Sequence, residues 1–327
     1  MKTKTINWGM IGAGDVTEVK SGPAFQKVKD SRLVAVMRRD EEKVRDYALR
    51  HGIQKWFTDA QKLIEDPEIN AIYIATPPDT HDTYAIAALE AGKDVYVEKP
   101  MVLSVERAKK LVAAVHNNKN KLSVAHYRRE QPYFKKIKTL LEENTIGKPQ
   151  MVLLQLANKP LTGTALQDPK IKWRLDPGQS GGGLFHDLAP HQVDLMYYFF
   201  GAIKEVCGIS HNQTGLYQAD DVVAGQILFQ NDLLFNGTWN FNAFEEIDNC
   251  QILGSEGKLS FSIFNKQPIE LINQDGTASF SFEPLTHVQQ PMIEAVVAYF
   301  KGEGSNPCSV EEGLEVMKVL DTLTGKQ

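Results

Sequence analysis

The chain of 327 residues is 42% hydrophobic and 24% charged, and it has a formal net charge of −5. This length favours two domains, the composition excludes a disordered chain, and the absence of a basic excess argues against a nucleic-acid partner. We recognise no signal peptide, no paired cysteine spacing and no segment near the ~20 apolar residues of a membrane span, so we expect a cytoplasmic protein without a metal centre or a membrane partner.

Short apolar segments alternate with helical patterns over residues 1–125. Five segments are nearly uniform in hydrophobicity, as strands covered on both faces of a parallel sheet must be, and they span residues 6–11, 33–37, 71–75, 95–97 and 122–125. Helical patterns separate them, including one that stops at Gly92 and one that Ser104 can cap. This order predicts an α/β fold whose N-terminal domain is a Rossmann-type, doubly wound parallel sheet.

Longer strand patterns follow over residues 126–327, at 150–157, 204–210, 222–229, 233–241 and 251–253. They predict a C-terminal α+β domain with an open, mostly antiparallel sheet that binds the substrate and forms a homodimer or homotetramer. A helix at about 187–200 interrupts the strands, and Pro190 suits its first turn. Two terminal helices, 291–302 and 310–323, are expected to pack back toward the N-terminal domain, and Ser309 and Glu312 form a capping box for the second.

A glycine-containing segment separates the first predicted strand from the first helix, and it consists of Gly12, Ala13, Gly14, Asp15 and Val16. Gly12 permits a tight turn, and Gly14 lets the backbone approach a pyrophosphate at the helix N-terminus. Thr17 stands where a third small residue is usual, which a slightly wider contact between helix and strand absorbs. We therefore predict dinucleotide binding here; a glycine turn that serves only packing is the alternative.

The end of the second predicted strand indicates which dinucleotide is bound. NAD sites usually place an acidic residue there, about 20 residues after the glycines, for the ribose 2′-hydroxyl. Here Arg38 takes that position and Arg39 follows, and guanidinium groups suit a 2′-phosphate. The pair favours NADP over NAD, unless both arginines are solvated and Asp40 caps the next helix.

Three residues in two further segments are the candidate catalytic groups. Lys99 follows a strand at the edge where open α/β sheets bind ligands, and its ammonium can stabilise alkoxide charge. His191 is the candidate general base, and Asp187, four residues earlier, can share its helix face and orient its imidazole. His186 is a rival imidazole, whereas Asp194 is assigned a structural role.

Polar residues near the same sheet edge are assigned to cofactor binding. Thr76, Pro77 and His81 follow the strand that runs beside the nicotinamide half. Glu98 and Lys99 follow the next strand and join them in this assignment. Each of these side chains alone is equally compatible with a packing role or a surface salt bridge.

Four further residues are candidates for substrate binding. Tyr127 and Arg128 follow the sixth predicted strand, and Trp173 and Arg174 precede a run of glycines. Aromatic and guanidinium groups suit a polyhydroxylated substrate through stacking and forked hydrogen bonds.

Several of these motifs together resemble one known family. They are, in chain order, Gly12-Ala13-Gly14, Ala75-Thr76-Pro77-Pro78, His81, Ala91-Gly92-Lys93, Glu98-Lys99-Pro100, Gly182-Gly183, Asp187, His191 and Asp194. Over essentially its whole length the chain resembles the glucose-fructose oxidoreductase, inositol dehydrogenase and rhizopine-catabolism family (Gfo/Idh/MocA). The resemblance implies a pyridine-nucleotide oxidoreductase of sugars, cyclitols and related compounds, and it implies a cis peptide bond between Lys99 and Pro100.

The residues and the resemblance together predict an NAD(P)-dependent dehydrogenase or reductase that acts on CH–OH groups. His191 would move the hydroxyl proton of a secondary alcohol, Lys99 would steady the oxygen, and Asp187 would hold the geometry. Three alternatives stay open. They are a sugar sensor that binds a dinucleotide without turnover, a glycosidase that uses a tightly bound nucleotide for transient oxidation, and a reductase of keto or unsaturated compounds.

Overall fold

The computed structural model describes residues 5–265 and 267–326. Contacts between residues divide the chain into two units. The first unit contains the residues through Gln131 together with Leu285–Glu315, and the second contains Pro132–Pro284 together with the residues from Val316 onward. The chain therefore returns to the first unit after it has built most of the second.

Six parallel strands form the sheet of the first unit, in the order β3-β2-β1-β4-β5-β6. Their bounds are β1 Ile6–Ile11, β2 Ser31–Met37, β3 Lys55–Phe57, β4 Ala71–Ile74, β5 Asp94–Val97 and β6 Leu122–Val124. The prediction of a doubly wound parallel sheet is confirmed. β3 was not predicted, because an edge strand of three residues with Trp56 38% exposed carries no buried apolar run. The strand order reverses direction between β1 and β4, which is where such sheets bind ligands.

Helices and short helical turns connect these strands. The α-helices are α1 Ala24–Lys27, α2 Glu41–Arg50, α3 Ala60–Ile64, α4 His81–Glu90 and α5 Val105–Asn117. The predicted cap of α5 is confirmed, because the Ser104 side chain accepts a hydrogen bond from the backbone N–H of Arg107. The first helix after the glycine segment was expected to be α-helical, but Thr17–Ser21 is a π-helical turn that closes with Gly22 N–H donating to Thr17 O at 3.1 Å.

Eight strands form the sheet of the second unit, in the order β14-β13-β12-β11-β7-β10-β9-β8. Their bounds are β7 Pro149–Ala157, β8 Ile203–His211, β9 Val222–Phe229, β10 Leu234–Asn240, β11 Ile247–Gly254, β12 Gly257–Phe261, β13 Ile269–Asn273 and β14 Gly276–Phe280. Among the strand pairs of the described residues in this sheet, only β7 and β10 pair in parallel, so the predicted open, mostly antiparallel sheet is confirmed. The last three strands were not predicted, because they lie toward one edge of the sheet and their residues alternate between buried and more exposed ones or are largely exposed, so no continuous apolar segment marks them.

The remaining helices are α6 Pro132–Glu142, α7 Gly163–Gln167, α8 Pro169–Leu175, α9 Pro177–Ser180, α10 Gly183–Phe200, α11 Gln290–Lys301 and α12 Val310–Leu323. The capping box before α12 is confirmed, because Ser309 N–H donates to Glu312 Oε2 at 2.8 Å and Glu312 N–H donates to Ser309 Oγ at 3.3 Å. Within the described residues, no helix is long and apolar enough to cross a membrane.

One helix differs from its prediction. α10 begins at Gly183 rather than near residue 187, so Pro190 lies inside the helix and not in its first turn. A proline at that position cannot donate to the carbonyl of His186, which normally costs stability. Burial outweighs this cost, because Pro190 is buried and Phe185 packs edge-on against Trp239 of β10 with ring centroids 5.0 Å apart.

Candidate active site

The glycine segment packs tightly against the end of β4. Gly12 has φ +104°, and a Cβ at this position would lie 2.6 Å from Ala75 C and 2.7 Å from Thr76 N. Both neighbouring atoms belong to the backbone, so no flexible side chain can move to make room. Gly12 and Ala13 also donate their N–H groups to Met37 O at 3.0 and 3.1 Å, which joins the segment to the end of β2. Only glycine therefore fits at position 12.

Gly14, in contrast, faces open space. A Cβ on Gly14 would have only one heavy atom nearby, Gly12 O at 3.8 Å. The fully buried Thr17 stabilises this loop on its interior side. Its hydroxyl accepts a hydrogen bond from Gly14 N–H at 3.0 Å and donates one to Gly14 O at 2.8 Å. Thr17 thus stands in place of the usual small third residue and stabilises the glycine segment through these two hydrogen bonds. The space above Gly14 fits the pyrophosphate of a dinucleotide.

The two arginines after β2 have different surroundings. Arg38 Nη1 donates to Ala13 O at 3.1 Å and so braces the glycine segment. Arg39 is exposed and lines an open groove of about 360 Å³, together with Thr58, Gln61 and Tyr84. Asp40 caps α2 by accepting from Lys43 N–H at 3.1 Å, as the alternative assignment of this segment proposed. Arg39 is therefore the arginine that the geometry offers to a ligand in the groove.

His81 joins the segments that follow β4 and β5. Its side chain is fully buried, with Nδ1 3.0 Å from Pro100 O and Nε2 2.8 Å from Thr76 O. Burial lowers the pKa of this imidazole. The ring therefore holds the backbone segments of Thr76 and Pro100 together at the sheet edge. Direct contact between His81 and a cofactor stays a prediction. The Lys99–Pro100 peptide bond is cis, which confirms the expectation from the family resemblance.

Lys99 and His126 directly follow two neighbouring parallel strands, β5 and β6. His126 is buried, and its pKa is held well below the usual value by burial and by the positive charges of Arg129 and Lys99. The sequence places His126 with Tyr127 and Arg128 after the sixth predicted strand, on the ligand edge, without giving it a specific role. The predicted substrate residues Tyr127 and Arg128 come next, with the Arg128 guanidinium carbon 5.6 Å from the Tyr127 ring centroid.

In the second unit, α8 and α10 bring three of the predicted residues together. Arg174 Nε donates to Asp187 Oδ2 at 3.1 Å, and the Arg174 guanidinium carbon lies 4.5 Å from the Trp173 ring centroid. A second guanidinium nitrogen of Arg174 donates to Lys170 O. Asp187, a predicted catalytic carboxylate, therefore forms an ion pair with Arg174, and Arg174 also contacts Trp173. The sequence did not indicate this ion pair.

The two rival histidines of α10 lie on different faces of the helix, because five positions separate them. His191 is 5% exposed, and its ring stands edge-on to Phe264 with centroids 6.0 Å apart. His186 is 1% exposed, with Nδ1 3.2 Å from Gly182 O and Nε2 3.9 Å from Asp321 Oδ1, and burial lowers its pKa. His186 thus holds the start of α10 and faces α12. Asp194 is buried.

No group of three or more His, Cys, Asp or Glu side chains in the described part of the chain could hold a metal ion.

Comparisons with known proteins identify relatives of both units. A family model described as an oxidoreductase family with an NAD-binding Rossmann fold (GFO_IDH_MocA) matches residues 6–126, and the GFO/IDH/MocA C-terminal domain matches residues 134–260. Oxidoreductase P35 of Formosa agariphila is 48% identical over 98% of each chain, and 1,5-anhydro-D-fructose reductase of Ensifer adhaerens is 25% identical over 94% of this chain and 92% of its own.

A solved structure shares the fold of the whole chain. Levoglucosan dehydrogenase in complex with NADH and levoglucosan superposes with a TM-score of 0.87 at 22% identity, covering 98% of this chain and 96% of its own.

Proposed function

The chain belongs to the Gfo/Idh/MocA family of oxidoreductases, and from this premise we propose that it transfers a hydride between a nicotinamide dinucleotide and a secondary alcohol or ketone of a sugar, cyclitol or related polyol. One observation carries the proposal. In an NAD-binding Rossmann chain, a lysine lies two residues after β5, and a carboxylate and an imidazole lie one turn apart on α10.

The glycine segment and Arg39 are the residues that would hold the dinucleotide. Gly14 leaves space for the pyrophosphate, and the groove beside Arg39 suits the adenosine end. A bound nicotinamide supplies the hydride acceptor or donor of the reaction.

The chain's own residues would handle the proton and the charge on the substrate oxygen. We assign His191 as the base that takes the hydroxyl proton and Lys99 as the donor that stabilises the developing alkoxide. Asp187 would orient His191 or the substrate, and Arg174 fixes the Asp187 carboxylate through a charge-assisted hydrogen bond of 3.1 Å. Trp173 beside Arg174 offers an apolar face for a sugar ring.

The function is tested by a spectrophotometric screen of polyols and keto-sugars with NADP and with NAD, in both directions. The panel includes 1,5-anhydro-D-fructose and levoglucosan, which appear in the names of a relative and of a solved structure that are similar to this chain. We expect a substrate-dependent change in nicotinamide absorbance. Binding of dinucleotide without any such change would identify a sensor, and release of the aglycone from an aryl glycoside without net cofactor change would identify a glycosidase.

We propose NADP as the preferred dinucleotide, with Arg39 as the residue that contacts the 2′-phosphate. Arg39→Ala should raise the KM for NADP by about 10- to 100-fold, since a hydrogen bond to a charged group contributes roughly 1.5–3 kcal/mol. The KM for NAD should change by less than about twofold, because NAD lacks that phosphate. Initial-rate kinetics with each cofactor measure both values.

Arg32→Ala is the matched control for this test, since Arg32 is exposed at the opposite end of β2. It should leave both KM values unchanged. Equal losses for NADP and NAD in Arg39→Ala, or no loss for either, would remove the assignment.

We also propose a homodimer or homotetramer formed through one face of the eight-stranded sheet. Strand register places Leu153, Ile209 and Ile272 on the same face, and they are 38%, 72% and 37% exposed. The strands that carry them, β13, β7 and β8, are spaced across the whole sheet, so a second copy that buries all three must cover most of this face. Sedimentation of the native chain measures the oligomeric state, and a monomer would end this proposal.

A further inference from the structure

Glu98 is the centre of a buried polar network inside the first unit. It follows β5 and is 7% exposed. Tyr73 on β4, Tyr96 on β5, Ser21 and Gln289 surround it, and all four are fully buried. All four neighbours are neutral side chains, so none of them offers Glu98 a cationic partner.

Three hydrogen-bond donors surround the Glu98 carboxylate. Tyr73 Oη and Gln289 Nε2 each donate to Glu98 Oε1 at 2.5 Å, and Lys99 N–H donates to Oε2 at 3.3 Å. Behind these donors, Tyr96 Oη donates to Gln289 Oε1 at 3.2 Å, and Ser21 Oγ lies 3.1 Å from Tyr73 Oη. Two side-chain donors and one backbone N–H are thus in place to stabilise a negative charge on this carboxylate.

The network lies at the ends of β4 and β5, where the proposed function would place the nicotinamide. In a doubly wound sheet, the pyrophosphate sits at the glycine segment after β1, and the two halves of the dinucleotide extend to either side of it. The groove beside Arg39 lies on the β2 and β3 side. The nicotinamide half therefore extends over β4 and β5, the strands that carry Tyr73 and Glu98.

The oxidised nicotinamide ring carries a positive charge and the reduced ring carries none. A fixed negative charge beneath the ring consequently stabilises the oxidised form more than the reduced form. The Lys99 ammonium acts in the opposite sense, so the contribution of Glu98 is a difference measured between chains that both keep Lys99.

We propose that Glu98, held by Tyr73 and Gln289, is a fixed counter-charge that strengthens binding of the oxidised dinucleotide relative to the reduced one. The inference rests on the proposed function in one respect, namely that a nicotinamide dinucleotide binds at this edge. Its consequence is that the bound reduced cofactor is a stronger hydride donor than it is in a site without the charge.

Glu98→Gln tests this inference by removing the charge while keeping the size of the side chain. The dissociation constants of NADP⁺ and NADPH, with NAD⁺ and NADH in parallel, are measured by fluorescence titration without substrate. The ratio of the oxidised to the reduced constant should rise on the order of tenfold, which is the size expected for the loss of one nearby unit charge at an effective dielectric constant of ~20.

Tyr73→Phe is the matched control, because it removes a hydrogen-bond donor from the same carboxylate and keeps the charge. Its ratio should change by less than about twofold. An unchanged ratio in Glu98→Gln overturns the inference, and so does an equal change in Tyr73→Phe, since that result would assign the effect to packing.

A second variant keeps the test available if Glu98→Gln does not fold. The triple replacement Tyr73→Phe, Glu98→Met and Gln289→Met removes the carboxylate together with its two side-chain donors, which leaves fewer buried polar groups unpaired than removal of the carboxylate alone. It should show the same rise in the ratio. If the native chain binds neither redox form, the proposed function fails together with this inference; if it binds both and the ratio does not move, only the inference fails.

Discussion

Replacement of His191 by Ala is expected to lower kcat by about 10²- to 10⁴-fold, which is the usual contribution of a positioned general base. His191 lies one turn after Asp187 on α10, and its imidazole is almost fully buried. The dissociation constant of the dinucleotide should remain within about twofold, because the glycine segment and Arg39 belong to the other unit. Stopped-flow or steady-state absorbance of the nicotinamide measures kcat, and fluorescence titration measures binding.

Two further variants make this result specific. Lys99→Ala should lower kcat by at least about tenfold, because it removes a charged donor to the developing alkoxide. His186→Asn should keep most of the activity, since His186 contacts the start of α10 and faces Asp321. Normal turnover in His191→Ala, combined with loss of turnover in His186→Asn, would transfer the base assignment to His186.

Gly12→Ala is expected to abolish dinucleotide binding and to destabilise the first unit. The new Cβ would lie 2.6 Å from Ala75 C and 2.7 Å from Ala75 O, and the backbone at φ +104° is unfavourable for alanine. Backbone strain and overpacking each cost roughly 1–3 kcal/mol, so thermal unfolding should occur several degrees lower. Calorimetry measures the unfolding temperature, and fluorescence titration measures the affinity for the dinucleotide.

Two other glycines separate the causes of this effect. Gly92 has a similar φ of +75°, and a Cβ added there would have no heavy atom within 4 Å. Gly92→Ala should therefore lower the stability somewhat and leave dinucleotide binding intact. Gly14→Ala meets only Gly12 O at 3.8 Å, so the fold should be retained while binding weakens if the pyrophosphate lies above it. Full binding in Gly12→Ala would show that this close approach to β4 is dispensable.

Secondary structure could be predicted where burial leaves a local pattern. β1 and β9 match their predicted ranges, and the Ser309–Glu312 capping box forms as expected, because uniform hydrophobicity and capping chemistry depend on residues close in the chain. β3 and the early start of α10 were not predicted. In both cases packing against distant residues, such as that of Phe185 on Trp239, decides the structure.

The amino-acid sequence by itself determined the two-part architecture, the glycine segment, the motif around Lys99 and the spacing of Asp187 and His191. The tertiary structure alone decided which polar groups hold these residues. Glu98 and Gln289 are 191 positions apart and meet at 2.5 Å, and Arg174 meets Asp187 between two separate helices. The reason is physical: hydrophobic periodicity is local and survives in any window of sequence, whereas the partner of a buried polar side chain depends on which distant segments the folded chain places beside it.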